Sequence, residues 1–240
     1  MTRAPAGLVR AVHRVLGPAL VERVPRDHSQ PDREFLRRRV TVATTLVVGA
    51  VVLGFSLAVP PGSAAFYPLT LLLAAVWTIG GFLSGPLHLG WIGWRGGLRR
   101  PLVTPVVVGL GAAAIFVVGA LVVREIPALR DLTDHVLAHA RKGSTPLVLL
   151  VTVLNGIAEE IFFRGALFAA IGRRHPVAIS TLIYALVTIA TLNPMLVFAA
   201  ITLGLVLGLQ RRASGGVLAP ALTHVTWSAV MLFALPPLFA

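Results

Sequence analysis

Glu159, Glu160 and Arg164 are the only charged residues in the apolar run from Leu147 to Ala170. Lenient insertion scales set the cost of one charge at a bilayer centre at roughly 2.5 to 3.5 kcal/mol, so such groups imply a function and a partner. On a helix Glu160 and Arg164 are four residues apart, with the acid on the amino-terminal side, the order that suits an ion pair. Glu159 is turned by about 100° from its neighbour and falls on the face of Asn155. The motif thus divides into a structural acid, Glu160, held by Arg164, and a free acid, Glu159, that can take a proton from water as a general base. His224 is the one histidine inside a predicted span, and Ser228 follows it one turn later on the same face.

These residues need membrane helices to position them. The chain has 240 residues, of which 56% are hydrophobic and 12% charged, against about a quarter charged in soluble domains. This composition predicts an all-α, multi-pass transmembrane helix bundle. Apolar segments long enough, or nearly so, to cross about 30 Å of hydrocarbon lie at about 40–59, 64–85, 102–123, 145–170, 177–192, 195–209 and 217–235, making about seven spans. The fifth and sixth are short. Leu192-Asn193-Pro194 reads as a tight turn between them, since Pro194 lacks an amide donor and biases the preceding residue away from helix.

The expected organisation is a basic cytoplasmic tail at 1–39, amino-terminal transmembrane helices at 40–123, a polar connection at 124–144 and a carboxyl-terminal core at 145–240. The tail holds nine arginines and four acids; Leu8, Val9, Val12, Leu16, Leu20 and Val21 fall at helical spacing against Arg10, Arg14 and Glu22, a pattern for a surface helix or a solvated tail. The net charge of +12 comes in short arginine clusters between apolar runs, a distribution that fits loops against an anionic leaflet better than a nucleic-acid face. With the amino terminus cytoplasmic, seven crossings put Arg95, Arg99, Arg100, Arg173, Arg174, Arg211 and Arg212 inside. The connection 124–144, with four basic and three acidic residues, runs against that rule. The absence of cysteine excludes thiolate metal sites and a cysteine nucleophile.

Counting at about 1.5 Å per residue from the nearest inner arginine, Glu159, Thr188 and His224 lie about 21, 21 and 18 Å deep. Glu159-Glu160-x-x-x-Arg164-Gly165, the helix from Ser180 with Tyr184, the run Gly204 to Gly208, and Gly215-Gly216-Val217-Leu218-Ala219-Pro220-Ala221-Leu222-x-His224 together resemble the CAAX-protease and bacteriocin-processing (CPBP, or Abi) family of intramembrane proteases. The resemblance covers about 149–231. It implies a glutamate-dependent site with E-E-x-x-x-R, F-x-x-x-H and H-x-x-x-N motifs, Glu159 as the water-activating acid and His224 as the last histidine. Two motifs depart from that pattern: Tyr184 and Thr188 stand for the Phe and His of the second, and Ser228 for the Asn of the third.

The expected activity is hydrolysis of a peptide bond in a membrane-associated protein or peptide, with no nucleic-acid partner and with membrane lipids as surroundings. His224, with the Ser228 hydroxyl, would donate to the oxyanion, a role in which one lost donor costs about 10² to 10³ in rate. A divalent metal such as zinc would have Glu159 and His224 as strong ligands, short of the three protein ligands usual in catalytic sites. The alternative is a catalytically degenerate relative serving as a membrane scaffold or partner-binding protein. A proton-coupled transporter fits less well, for want of an inverted pair of broken helices. The bland reading of Asn155, Thr188 and Ser228 is interhelical hydrogen bonding. Asp134-His135-x-x-x-His139 sets two imidazoles one turn apart but lacks the Glu of a zinc-protease helix.

Overall fold

The structure is a computed structural model that describes residues 13–26, 29–94 and 96–240. Long apolar segments that cannot leave backbone groups unpaired in lipid resolve into helices, and the polar connection holds a further one, the fourth: α1 (Asp32–Ala58), α2 (Phe66–Leu83), α3 (Val103–Val123), α4 (Pro127–Lys142), α5 (Thr145–Glu159), α6 (Pro176–Thr188), α7 (Pro194–Ser214) and α8 (Leu218–Leu238). The described sheet is a short antiparallel hairpin, β1 (Ile92–Trp94) with β2 (Gly97–Arg99), in which Gly93 pairs with Leu98. Helix α5 runs on through a widened, π-type segment, Glu160–Leu167, and a last turn, Phe168–Ile171.

Six of these helices are long and apolar enough to cross a membrane: α1, α2, α3, the continuous Thr145–Ile171, α7 and α8. The seventh predicted span, α6 with its 3₁₀ extension to Thr191, is apolar but shorter. The first helix starts at Asp32 rather than near Val40, so four arginines assigned to the tail, Arg33, Arg37, Arg38 and Arg39, ride on its first turns. Of the expected surface helix, 1–12 lie outside the described residues; 13–16 are helical and Gly17–Val21 form a π-type turn.

Loop contacts sort the connections into two ends. At one end, His139 Nε2 lies 3.2 Å from the Val59 carbonyl, the Ser144 amide donates to Tyr67 Oη at 2.8 Å, and Asn193 Nδ2 donates to the Leu132 carbonyl at 2.7 Å. At the other, Arg38 donates to Ser84 Oγ and the Pro86 carbonyl, Arg39 to the Ala170 carbonyl, and the Val217 amide to the His88 carbonyl. Burial, then the Arg211 and Arg38 charges, hold the His88 imidazole below its ordinary value. The 124–144 connection therefore shares an end with the 59–65 loop and the 192–194 turn, although it carries basic residues.

That turn has a clear local cause. Asn193 caps α7, its side-chain oxygen accepting from the Met195 and Leu196 amides, with Pro194 at the first helical position, where no amide is needed. Trp77 of α2, almost fully buried, packs on Phe162 and Phe163 with ring centroids 4.7 and 5.1 Å away. Gly49 of α1 faces the Trp77 ring so closely that an added Cβ would collide with it. These contacts fix α1 and α2 against the widened segment that carries the acidic motif.

Candidate active site

Glu159 ends the regular part of α5 and Glu160 opens the widened segment. π-type turns recur at functional sites because they re-aim side chains and loosen the regular backbone ladder. Here the Arg164 carbonyl inside that segment accepts from Arg211 Nε of α7 at 2.6 Å.

The two acids face different partners. Glu160 is fully buried, and its Oε1 accepts from Arg164 Nη1 at 2.9 Å and lies 2.8 Å from His224 Nδ1. Arg164, also buried, reaches the Gly204 carbonyl at 3.4 Å and lies over the Tyr184 ring at 4.8 Å. Glu159 instead accepts a 2.6 Å hydrogen bond from Tyr184 Oη at its Oε2. His224 thus contacts Glu160, not Glu159, although both Glu159 and His224 line one cavity of about 210 Å³. Its walls are otherwise mostly apolar, drawn from α1, α2, α6, α7 and α8 and including Trp77, Phe163, Leu203 and Trp227.

The supporting residues separate into those at the cavity and those away from it. Thr188 lines it, but its hydroxyl donates to the Tyr184 carbonyl one turn back on α6, at 2.8 Å. Asn155, expected on the face of Glu159, turns to α2 and donates to the Thr70 carbonyl at 3.0 Å as well as to Val151 of its own helix at 2.9 Å. It is an interhelical tie between α5 and α2. Ser228 is half-buried and does not line the cavity, so the expected oxyanion contribution from its hydroxyl has no geometric support.

Two groups carry contacts that their place in the sequence does not announce. Tyr184 reads as an aromatic, yet its hydroxyl is the hydrogen-bond partner of Glu159; a tyrosine where the resemblance implies phenylalanine is the available signal. Arg211 reads as an inner-loop arginine, but it is buried and tied to the Arg164 carbonyl. No sequence signal marked that contact, which depends on the widened helix.

Among the described residues, no cluster of three or more His, Cys, Asp or Glu has metal-binding geometry. At the cavity one carboxylate, Glu159, and one imidazole, His224, face the same space. Two such ligands fall short of a catalytic zinc set. In the polar connection, His139 is committed to Val59 and Asp134 to Arg141, so these do not converge as ligands.

A multi-helix membrane bundle with a mostly apolar cavity that holds one acid, Glu159, defines the class. Within it, residues 141–230 match the family model for type II CAAX prenyl endopeptidases, Rce1-like, consistent with the wider CPBP and CAAX-protease family. The matched segment holds the acidic motif, Tyr184, Thr188 and His224. No curated protein and no solved structure matches the chain significantly.

Proposed function

We propose that this chain is an intramembrane endopeptidase in which Glu159 activates the attacking water. The observation that carries this reading is the shared cavity: Glu159 and His224, 65 positions apart in sequence, line one mostly apolar space large enough for several atoms of a peptide and a water. In the proposed cycle Glu159 takes a proton from water through Oε1, since Oε2 is held by Tyr184. The hydroxide forms a bond to the peptide carbonyl carbon, and the carbonyl electron pair moves onto oxygen. His224 Nε2–H donates to that oxyanion, while Nδ1–H is held by Glu160. Collapse breaks the C–N bond, and Glu159 returns its proton to the amine.

The amino terminus and the arginine-bearing end of the bundle lie on the cytoplasmic side in this reading, in line with the bias of short loops.

The test compares amino-terminal peptides of membrane proteins in cells expressing wild type and Glu159→Gln at equal abundance. At least one new amino terminus inside a membrane-associated segment should depend on Glu159. Identical terminal profiles would sink the hydrolase reading. A scaffold role is the second reading, favoured by the commitment of the Thr188 hydroxyl to its own helix. In the otherwise natural chain, a gain of cleavage with Thr188→His marks a degraded site, whereas a loss marks a retuned enzyme.

A further inference from the structure

Tyr184 and Thr188 lie one turn apart on α6, and both line the cavity that Glu159 faces. Of the two hydroxyls, only the phenol reaches the acid. Thr188 Oγ1 donates to the Tyr184 carbonyl at 2.8 Å, and the Thr188 carbonyl accepts from Thr191 Oγ1 at 2.7 Å. Both hydrogen bonds are local to α6 and its extension, so position 188 offers Glu159 no donor. Tyr184 Oη stands 2.6 Å from Glu159 Oε2, the length of a charge-assisted O–H···O⁻ bond.

The phenol is also held in place. The Arg164 guanidinium lies 4.8 Å above its ring, and the Phe163 ring packs at 4.6 Å with a 55° tilt. Gly204 of α7 closes the third side: a Cβ there would lie 3.5 Å from Tyr184 Cδ1. A rigid aromatic donor loses little rotamer freedom in such a setting, unlike a long aliphatic side chain. Pinning one carboxylate oxygen leaves the other with a fixed direction, and fixed placement of a catalytic group is a large part of what an active site supplies.

We infer that Tyr184 is the positioning residue of Glu159, supplying from one turn earlier on α6 the polar contact that position 188 does not make. The inference rests on the hydrolase reading, and it adds that the natural chain is retuned around a phenol. The hydroxyl donates to Oε2 throughout and neither gains nor loses a covalent bond; the water's proton goes to Oε1.

The experiment uses the full chain in lipid nanodiscs with a reporter peptide spanning the Glu159-dependent cleavage position found in cells. Wild type, Glu159→Gln, Tyr184→Phe and Tyr184→Phe with Thr188→His are compared at matched thermal midpoints. Tyr184→Phe should lower kcat at least tenfold with KM within twofold, and adding Thr188→His should recover at least a third of the lost rate. In infrared difference spectra, Tyr184→Phe should shift a carboxyl band that disappears in the Glu159→Gln background, a signature that needs no turnover. Overturning results are a kcat for Tyr184→Phe within threefold of wild type, a loss that Thr188→His leaves unrelieved, or an unshifted band. Wild-type turnover by Glu159→Gln would instead overturn the hydrolase reading itself.

Discussion

Adjacent acids have opposite settings in this protein. Glu160 is enclosed by Arg164 and His224, whereas Glu159 faces a cavity and one phenol. Their isosteric amides should therefore fail in different ways. Glu160→Gln removes the counter-charge of the buried Arg164 and the acceptor facing His224, and should cost about 3 to 5 kcal/mol, seen as a large drop in thermal midpoint and folded yield in detergent. Glu159→Gln keeps an oxygen for Tyr184 to donate to, so its midpoint should stay within a few degrees of wild type; equal losses in the two variants would refute the division. The spacing of Glu160 and Arg164 was legible in the sequence because i, i+4 geometry is local. The pairing of His224 with Glu160 rather than Glu159 was not, since depth along two helices says nothing about rotation of one helix against the other.

At the scale of helices, the site depends on close approach of α6, α7 and the widened end of α5. Gly204 of α7 is the contact point: an added Cβ would lie 3.2 Å from Thr181 Cγ2 and 3.3 Å from Arg164 Nη2. Gly204→Val should push these helices apart at about 1 to 3 kcal/mol, the usual cost of overpacking, and lower cleavage more than tenfold. Gly111→Ala on α3 is the control, because open space surrounds that position and alanine favours helix over glycine by roughly 0.5 to 1 kcal/mol. Its midpoint should hold or rise; the two variants behaving alike in both assays would show that helix approach at Gly204 does not position the site. The existence and approximate limits of the apolar helices were readable from run length, down to the turn at Leu192-Asn193-Pro194, whereas α4, inside the stretch expected as a polar connection, has no apolar run to announce it. The π-type segment was not, because nothing in the residue types Glu160 to Leu167 distinguishes a bond to the fifth preceding carbonyl from one to the fourth. The later start predicted for α1 has a simpler origin: arginines at a helix end read as tail, although their long side chains can carry charge away from an apolar helix.

The whole molecule presents two loop-bearing ends, and orientation follows from which one faces the cytoplasm. The end with Arg38, Arg39, the hairpin and the 171–176 connection should face inward; the end with α4, the 59–65 loop and the 192–194 turn should face outward. The chain has no cysteine, so single replacements report cleanly: an impermeant maleimide on intact cells should label Ser63→Cys and Asp131→Cys but leave Gly97→Cys and Arg174→Cys unlabelled until the membrane is opened. The reverse pattern would invert the proposed topology. The central claim is that this bundle places one acid, Glu159, to activate water inside the membrane. Its most direct test is the cleavage rate of purified, reconstituted Glu159→Gln beside wild type on the same reporter, at equal protein and equal thermal midpoint. The account predicts no cleavage above background by the variant and steady cleavage by wild type, whereas cleavage by the variant at a comparable rate would contradict it.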